Sequence, residues 1–227
     1  MQSNDIFRAI QRHALMPVLA IDQIEHAIPL ADALIAGDLP VMEVTFRTQA
    51  AGEVLQIISR QRNQVLLGAG TVLTIENLET AKECGAQFAL APGFNPKVVQ
   101  RAQELELPFI PGVATPSEIE QASSLGCRIL KFFPAELMGG IAMLRALAGP
   151  FQHLGVKFVP TGGIGPDLLQ SYLSLDIVAA VGGSWLAKPQ DLAEGRWDAI
   201  KERSLEAVNQ IAEIRTISRQ TSTGSKR

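Results

Sequence analysis

Short apolar segments alternate with longer amphipathic segments along the whole chain, and this alternation most limits the folds available to it. The candidate strands are eight runs rich in β-branched and apolar residues: 17–21, 41–46, 65–70, 88–92, 109–114, 128–133, 157–163 and 177–184. Several segments between them carry apolar residues at three- and four-residue spacing and end in glycine, as amphipathic helices do. Eight strand–helix units of similar length predict an α/β fold, a (β/α)8 TIM barrel of parallel strands. A doubly wound open sheet remains the alternative, because alternation does not show that a sheet closes.

One domain is expected to cover residues 1–215. Its first segment, MQSNDIFRAIQRHALM, mixes charged and apolar residues at helical spacing, which predicts an N-terminal helix rather than a secretory signal. No linker rich in proline, serine and glycine divides the chain. The polar segment ISRQTSTGSKR at the C-terminus predicts a disordered tail over residues 216–227.

Charge and composition exclude several classes of partner. The chain has 20 Lys and Arg against 23 Asp and Glu, a net charge of −3, so we expect no nucleic acid and no anionic membrane as partner. No stretch approaches the roughly 20 apolar residues that span a bilayer. Cys84 and Cys127 lie far apart without CxxC spacing, which argues against a disulfide scaffold and against a zinc site. We therefore predict a reduced, cytoplasmic protein.

The motifs give no indication of a metal or a cofactor. His13 and His26 lie in helical segments and His153 lies near a loop, so all three are interpreted as surface or structural residues. His, Cys and carboxylate residues show no metal-ligand spacing. The segment GAGTVL at 68–73 departs from GxGxxG and follows the third strand rather than the first, which argues against a dinucleotide site.

Polar residues stand at the C-terminal ends of the candidate strands, where parallel α/β barrels carry their active sites. Glu43, Thr45 and Arg47 share parity on the second strand, so an extended chain directs them to one face. Lys131 lies near the end of the sixth strand, inside the apolar run ILKFFPAE at 129–136. Lysine is rarely buried, so Lys131 either reaches water at the strand end or is kept partly desolvated.

Two interpretations of these charges remain open. In the first, Glu43 and Arg47 form a structural ion pair with Lys131 in a polar barrel interior. In the second, Lys131 is an amine nucleophile, Glu43 a carboxylate base and Arg47 the guanidinium that binds an acidic substrate. Desolvation disfavours the ammonium form of an amine. A neutral amine can attack a ketone, and the resulting iminium is an electron sink for an adjacent C–C bond.

Glycine pairs follow the last two candidate strands. Gly162-Gly163 closes the seventh strand, and Gly182-Gly183 with Ser184 closes the eighth. In barrels these two turns often bind phosphate through backbone N–H groups and a helix N-terminus. Tight turns need glycine in any case, so a phosphate site and a purely structural pair of turns are both compatible with the pattern.

Five motifs, in order and in register, resemble those of one family. EVTFRT (43–48), GAGTVL (68–73), KFFPAE (131–136), PTGGI (160–164) and GGSW (182–185) are together similar to 2-keto-3-deoxy-6-phosphogluconate (KDPG) aldolase, also known as 4-hydroxy-2-oxoglutarate (KHG) aldolase. The resemblance runs from about residue 5 to residue 213. It implies a (β/α)8 barrel that assembles as a homotrimer and needs no cofactor and no metal.

The resemblance also implies a role for each matching residue. Lys131 matches the Schiff-base lysine, and Glu43 matches the general acid/base. The residues that match the substrate pocket are Arg47 and Thr71 for the pyruvate carboxylate, Pro92 and Phe133 for the pocket wall, and Thr161 for the sugar-acid hydroxyls. The phosphate cradle matches Gly162, Gly163, Gly183 and Ser184.

The function implied is that of a class I aldolase, a carbon–carbon lyase of the Entner–Doudoroff pathway. It would cleave KDPG, a 2-oxo acid, to pyruvate and glyceraldehyde 3-phosphate, with cleavage of KHG to pyruvate and glyoxylate as a second expected activity. Two rivals remain: a pyruvate aldolase that uses a divalent metal ion, and a phosphosugar-binding barrel without catalysis. The preference between phosphorylated and unphosphorylated substrates stays open at this point.

Overall fold

Parallel strands alternate with helices throughout the protein. The computed structural model describes the backbone of residues 3–224 and the side chains of residues 5–217. The strands are β1 (Leu15–Leu19), β2 (Val41–Thr45), β3 (Leu66–Gly70), β4 (Phe88–Leu90), β5 (Phe109–Ile110), β6 (Gly112–Val113), β7 (Ile129–Phe132), β8 (Lys157–Pro160) and β9 (Val181–Gly183). The helices are α1 (Ser3–His13), α2 (Ala27–Ala36), α3 (Ala51–Gln61), α4 (Ile75–Glu83), α5 (Pro96–Glu104), α6 (Pro116–Ser124), α7 (Gly140–Ala148), α8 (Leu169–Leu173), α9 (Pro189–Ala193) and α10 (Trp197–Gly224).

The strands form two sheets in which every pairing is parallel. The larger sheet has the order β5-β4-β3-β2-β1-β9, and the smaller has the order β6-β7-β8. Strand order therefore follows chain order from β1 to β5, and β9 returns beside β1. A doubly wound sheet instead reverses its strand order at a switch point. The α/β fold with a parallel sheet is confirmed.

The predicted fifth strand is divided by Pro111. Proline has no backbone N–H, so it interrupts a ladder of hydrogen bonds. The ladder resumes at once, since the Pro111 carbonyl accepts from the Lys131 N–H at 2.8 Å and Gly112 pairs with Lys131. The Gly112 N–H also donates to the Gly93 carbonyl at 3.1 Å. A methyl group on Gly112 would lie 2.2 Å from the backbone of Pro92, so only glycine allows this approach.

The predicted eighth strand is shorter than expected. Of the predicted residues 177–184, only β9 (Val181–Gly183) forms a strand. Val178 pairs with Phe158 of β8 only through an isolated bridge. A second isolated bridge connects Thr161 with Gly182. These two bridges connect the smaller sheet with the edge of the larger one at β9.

Helices α4, α5 and α6 begin at side-chain caps shortly after the strand exits. Thr115 accepts from the Glu118 N–H while the Glu118 carboxylate accepts from the Thr115 N–H, a complete capping box at α6. At α4 and α5 the cap is a single bond, in which the Thr74 side chain accepts from the Asn77 N–H and the Asn95 side chain accepts from the Lys97 N–H. Such caps fix each helix start close to the end of the strand before it, and this places the connecting loops at one edge of the sheets.

The two ends of the chain are helical. α1 is the predicted N-terminal helix, and Ile6 and Ile10 on it are buried in the core. α10 continues past the proposed domain boundary at residue 215 and is helical through Gly224, so that boundary falls inside a helix. The end of the predicted tail, residues 225–227, lies outside the described residues. Over the part of the chain that the structure describes, no helix combines the length and the apolar character needed to cross a membrane.

Candidate active site

A buried ion pair joins the two sheets. Lys131 of β7 donates from Nζ to Glu43 Oε1 of β2 at 3.0 Å. Glu43 has no exposed surface, and Lys131 is 4% exposed. β2 belongs to the larger sheet and β7 to the smaller, so the pair exists only because the two sheets face each other. Of the two alternatives for Lys131, the structure places its amine in the interior and not in water.

Gly70 on the neighbouring strand makes room for the carboxylate. A methyl group at this position would lie 2.3 Å from Glu43 Oε1 and 2.6 Å from Glu43 Cγ, closer than atoms in contact can approach. Glu43 Oε2 is buried and has no hydrogen-bond partner among the described residues. Buried polar atoms are nearly always paired, so this oxygen is available to accept a hydrogen bond from a bound ligand.

An aromatic ring lies beside the amine. Lys131 Nζ is 5.7 Å from the centroid of the half-buried Phe133 ring, within the range of a cation–π contact. Phe133 is two residues after Lys131, so a β-strand directs both side chains to the same face. The amine therefore has an aromatic ring on one side and a carboxylate on the other.

Arg47 is held at the exit of β2 by a threonine. The buried Thr45 hydroxyl donates to the Leu19 carbonyl at 2.9 Å and accepts from Arg47 Nε at 3.1 Å. Arg47 itself is exposed, two residues after the buried end of β2. The structural interpretation placed Arg47 in the ion pair with Lys131, but among the described residues the Lys131 amine pairs with Glu43 alone.

Thr71 and Pro92 occupy the exits of the next two strands. Thr71 follows Gly70 directly and has φ of +55°, in the left-handed region. A β-branched residue is rarely found there, and such strain is concentrated at functional sites. Pro92 follows β4, is half-buried and packs its backbone against Gly112. Both residues lie at the same edge of the sheet as Arg47, which follows the end of β2.

The two glycine turns lie side by side after β8 and β9. The bridge between Thr161 and Gly182 sets their spacing, and a methyl group on Gly182 would lie 2.3 Å from the Thr161 hydroxyl. Gly162 and Gly163 have φ of +104° and +81°, conformations that favour glycine. Among the described residues, the N–H groups of Gly162, Gly163 and Ser184 are not bonded to a backbone acceptor. Ser184 is exposed at the end of β9.

Three contributors to this site were not in the predicted set. Thr45 had a signal, because its parity matches that of Glu43 and Arg47. Gly70 lies in the GAGTVL motif and Gly182 in the GGSW motif, but a sequence does not show which side chain a glycine leaves room for. Their contacts with Glu43 and Thr161 are found only once the strands are paired.

The remaining titratable residues that the sequence singled out lie elsewhere. Burial lowers the pKa of His13 in α1, and His26 packs edge-on against the Trp197 ring with centroids 5.5 Å apart. Burial raises the pKa of Cys127 to about 11, which keeps the thiol protonated. No group of three His, Cys, Asp or Glu side chains within the described ranges could hold a metal ion.

Lys131 and Glu43 belong to two of the five motifs that resemble the aldolase family, and the comparison with known proteins follows from them. The family described as KDPG and KHG aldolase matches residues 6–203. The chain belongs to the KDPG and KHG aldolase family. Members of this family are aldolases, so the protein is an enzyme of the carbon–carbon lyase class.

The proteins that this chain is similar to match it along nearly their full length. The 2-dehydro-3-deoxy-phosphogluconate aldolase of Treponema pallidum is 46% identical over 206 residues, which is 89% of this chain and 97% of that protein. One similar solved structure is a crystal structure of KDPG aldolase from Legionella pneumophila, with pyruvate captured as a covalent carbinolamine intermediate. Its sequence is 39% identical, its TM-score is 0.86, and the match covers 91% of this chain and 98% of that chain. The Zymomonas mobilis ZM4 KDPG aldolase with 3-phosphoglycerate is 37% identical with a TM-score of 0.82, over 89% of this chain and 94% of its own.

Proposed function

We propose that this enzyme is a class I aldolase that cleaves KDPG to pyruvate and glyceraldehyde 3-phosphate through a Schiff base on Lys131. The observation that carries the proposal is the buried contact of 3.0 Å between Lys131 Nζ and Glu43 Oε1. It pairs a nucleophile with a base inside hydrogen-bond reach, as covalent catalysis requires. The Legionella relative, which holds pyruvate as a carbinolamine, supports the same chemistry here.

The reaction begins with a proton moving from Lys131 to Glu43 along their hydrogen bond. The neutral amine attacks C2 of the 2-oxo acid, and loss of water from the carbinolamine leaves an iminium. Glu43 gives its proton to the departing hydroxyl, which leaves as that water, and as a carboxylate it then removes the proton of the C4 hydroxyl. The C3–C4 bond breaks, its electron pair moves into the iminium, and glyceraldehyde 3-phosphate leaves. Protonation of the enamine at C3 and hydrolysis release pyruvate and restore the lysine.

Arg47 and Thr71 are proposed to hold the substrate carboxylate. Arg47 is an exposed cation two residues after the end of β2, and its Nε is fixed by Thr45, so the rest of its guanidinium is free to bind an anion. Pro92 and Phe133 form the wall of the same pocket. Fixing the carboxylate orients C2 toward the amine, and acid/base help adds about 10²–10⁴-fold to the rate.

The phosphate is proposed to bind at the turns of Gly162, Gly163, Gly183 and Ser184, with Thr161 contacting the sugar-acid hydroxyls. N–H groups of these turns that are not used by the backbone are suitable donors for phosphate oxygens. The Zymomonas relative with 3-phosphoglycerate supports a phosphorylated ligand. Cleavage of KHG to pyruvate and glyoxylate is proposed as a second activity, because the pyruvate half is common to both substrates.

Three further properties belong to the proposal. The two sheets are proposed to close into one (β/α)8 barrel, because Pro111 alone separates β5 from β6 and two bridges connect β8 with the segment of β9. The enzyme is proposed to act as a cytoplasmic homotrimer, as the resemblance implies. It is proposed to need no metal and no cofactor.

Turnover of KDPG, measured as pyruvate release, tests the proposal. The wild-type enzyme should cleave KDPG and keep its activity in a chelator, and Lys131→Met should lose activity by more than 10³-fold while circular dichroism shows an intact fold. Lys97→Met, at an exposed position in α5, is the matched control and should match wild type. Loss of activity in chelator would favour the metal-dependent aldolase, and a wild-type protein without turnover would favour the binding barrel.

A further inference from the structure

The loop that leaves the lysine strand is bonded to the first glycine turn. Beyond β7, the Ala135 N–H donates to the Thr161 carbonyl at 2.8 Å, and the Glu136 N–H donates to the Gly162 carbonyl at 3.1 Å. Two consecutive residues of one loop thus run along two consecutive residues of the other. The position of the Gly162-Gly163 turn therefore depends on Glu136.

The side chain of Glu136 packs on the same turn. A methyl group on Gly163 would lie 2.7 Å from Glu136 Cβ, so the stem of Glu136 covers the face of this glycine. A methyl group on Gly140, the first residue of α7, would lie 3.0 Å from Glu136 Oε1. Glu136 is accordingly enclosed between the turn and the start of α7: its Cβ and Cγ lie against Gly163, and its carboxylate is directed toward Gly140.

A carboxylate beside the Gly162-Gly163 turn disfavours binding of an anionic ligand unless another group holds it by a hydrogen bond. It would repel the phosphate, and it could take the N–H groups of the turn for itself, since carboxylates accept strongly from backbone donors. Tyr172 engages it. This residue of α8 is fully buried, and its hydroxyl donates to Glu136 Oε1.

The tyrosine is suited to remain a donor. Burial, followed by the hydrogen bond to Glu136 and the charge of that residue, raises the pKa of Tyr172, so the hydroxyl keeps its proton at neutral and moderately alkaline pH. α8, which carries Tyr172, is the first α-helix after the Gly162-Gly163 turn in the chain.

We propose that Tyr172 is a positioning residue for phosphate recognition: its hydroxyl holds the Glu136 carboxylate away from the N–H groups of the Gly162-Gly163 turn and leaves them available to the phosphate of the substrate. This inference rests on the proposed function, in that it assigns the turn to phosphate. It gives Glu136 and Tyr172 an effect on specificity for phosphorylated substrates and none on the chemistry at Lys131.

Steady-state kinetics of Tyr172→Phe, Glu136→Gln and the double variant test this inference. Phenylalanine keeps the shape and removes the hydroxyl, so the KM for KDPG should rise about tenfold with kcat unchanged, while the KM for unphosphorylated KHG stays within twofold of wild type. Glu136→Gln removes the competing charge and should not raise the KM for KDPG. The double variant should return the KM for KDPG to within about threefold of wild type, because the released group is then neutral.

A purely structural Tyr172 would give a different pattern. It would lower turnover of KDPG and KHG alike, and the double variant would be no better than Tyr172→Phe; either result, or an unchanged KM for KDPG in Tyr172→Phe, would overturn the inference. If Tyr172→Phe does not fold, Glu136→Gln still decides, because a raised KM for KDPG in that variant contradicts a competing carboxylate.

Binding of inorganic phosphate, measured by calorimetry, separates this inference from the proposed function. Wild type should bind phosphate about tenfold more tightly than Tyr172→Phe, whether or not KDPG is cleaved. Phosphate binding with this difference but without KDPG turnover would overturn the proposed function and support the role of Tyr172. Turnover of KDPG with equal phosphate affinity in both proteins would support the proposed function and overturn the role of Tyr172.

Discussion

At the scale of single residues, the molecule retains features that a purely stable fold would avoid. Glu43 and Lys131 form an ion pair in an almost fully buried setting, where desolvation offsets much of the attraction between the charges. Glu43 Oε2 lacks a partner among the described residues, which adds a further cost. Gly70 leaves the space that this carboxylate needs. Such costs are expected where the groups serve chemistry.

Thr71 gives a prediction at the same scale. Its φ of +55° is strained for a β-branched residue, so Thr71→Gly should raise the free energy of unfolding by about 1 kcal/mol. The same variant loses a hydroxyl proposed to bind the carboxylate, so the KM for the 2-oxo acid should rise about tenfold. Urea unfolding and steady-state kinetics measure the two effects.

Glu106 provides the matched control for that variant. It is exposed, has φ of +51° and follows α5, before the start of β5 and away from the strand exits. Glu106→Gly should therefore stabilise the fold to a similar extent and leave the KM unchanged. A KM in Thr71→Gly equal to that of Glu106→Gly would argue against a role of Thr71 in binding.

At the scale of elements, α10 fixes the loop that follows the second glycine turn. Arg203 of α10 donates to the Trp185 carbonyl at 3.2 Å and to Asp191 Oδ2 at 2.5 Å. Asp191 also accepts from the Lys188 N–H at 3.0 Å, at the start of α9. The loop between Ser184 and α9 is thus held to the long helix by one arginine and one carboxylate.

Asp191 predicts how stability depends on acidity. Burial alone would raise its pKa, but the hydrogen bonds from Arg203 and from the Lys188 N–H, together with the charges of Arg203 and Arg196, leave the pKa below its usual range. A carboxyl whose pKa is lower when folded contributes its full stability above the unfolded pKa near 4, and that contribution is lost as the pH falls through the folded pKa. Asp191→Asn should cost about 1 kcal/mol at pH 7 and progressively less below pH 4, as measured by urea unfolding at each pH.

Asp32 is the control for that measurement. It pairs with Arg62 through two hydrogen bonds, one to each carboxylate oxygen, but its side chain is 50% exposed. Exposed ion pairs contribute little to stability, so Asp32→Asn should leave the unfolding curve nearly unchanged at pH 7 and below pH 4. A loss in Asp191→Asn that did not diminish in acid would show that the hydrogen-bonded charge is not its cause.

Elements were more predictable from the sequence than the contacts between them. Period-two and helical patterns locate the strands and helices, and the strand-exit rule alone brings Glu43 and Lys131 to the same end of the sheets. The interruption at Pro111 was not predicted, because a proline between apolar residues is also found at a strand edge. The bond from Tyr172 to Glu136 joins residues 36 positions apart on different elements, and no periodicity reports such a contact.

At the scale of the whole molecule, the site depends on how the two sheets meet. Glu43 lies in the six-stranded sheet and Lys131 in the three-stranded one, so neither sheet contains the pair alone. The sheets join at Pro111, where Gly112 pairs with Lys131 and approaches the Pro92 backbone. A change at this junction should therefore alter stability and catalysis together.

Gly112→Ala tests that junction. Its methyl group would lie 2.2 Å from the Pro92 backbone, which cannot move aside as a flexible side chain can. We expect a loss of about 2–4 kcal/mol in the free energy of unfolding and a fall in kcat, because Lys131 is displaced with the strand. Gly93→Ala is the control, since a methyl group there meets nothing within 4 Å. Equal unfolding curves and equal kcat for the two variants would contradict the role given to the junction.

The central claim is that Lys131 forms the covalent intermediate, and reduction with borohydride in the presence of pyruvate tests it most directly. The account predicts inactivation that needs both reagents, with one pyruvate-derived adduct on the amine of Lys131. A modified lysine resists trypsin, so mass spectrometry should find the adduct on an uncleaved peptide of residues 129–145. Lys131→Met should give no adduct. An adduct on another lysine, or full activity after treatment with both reagents, would contradict the account.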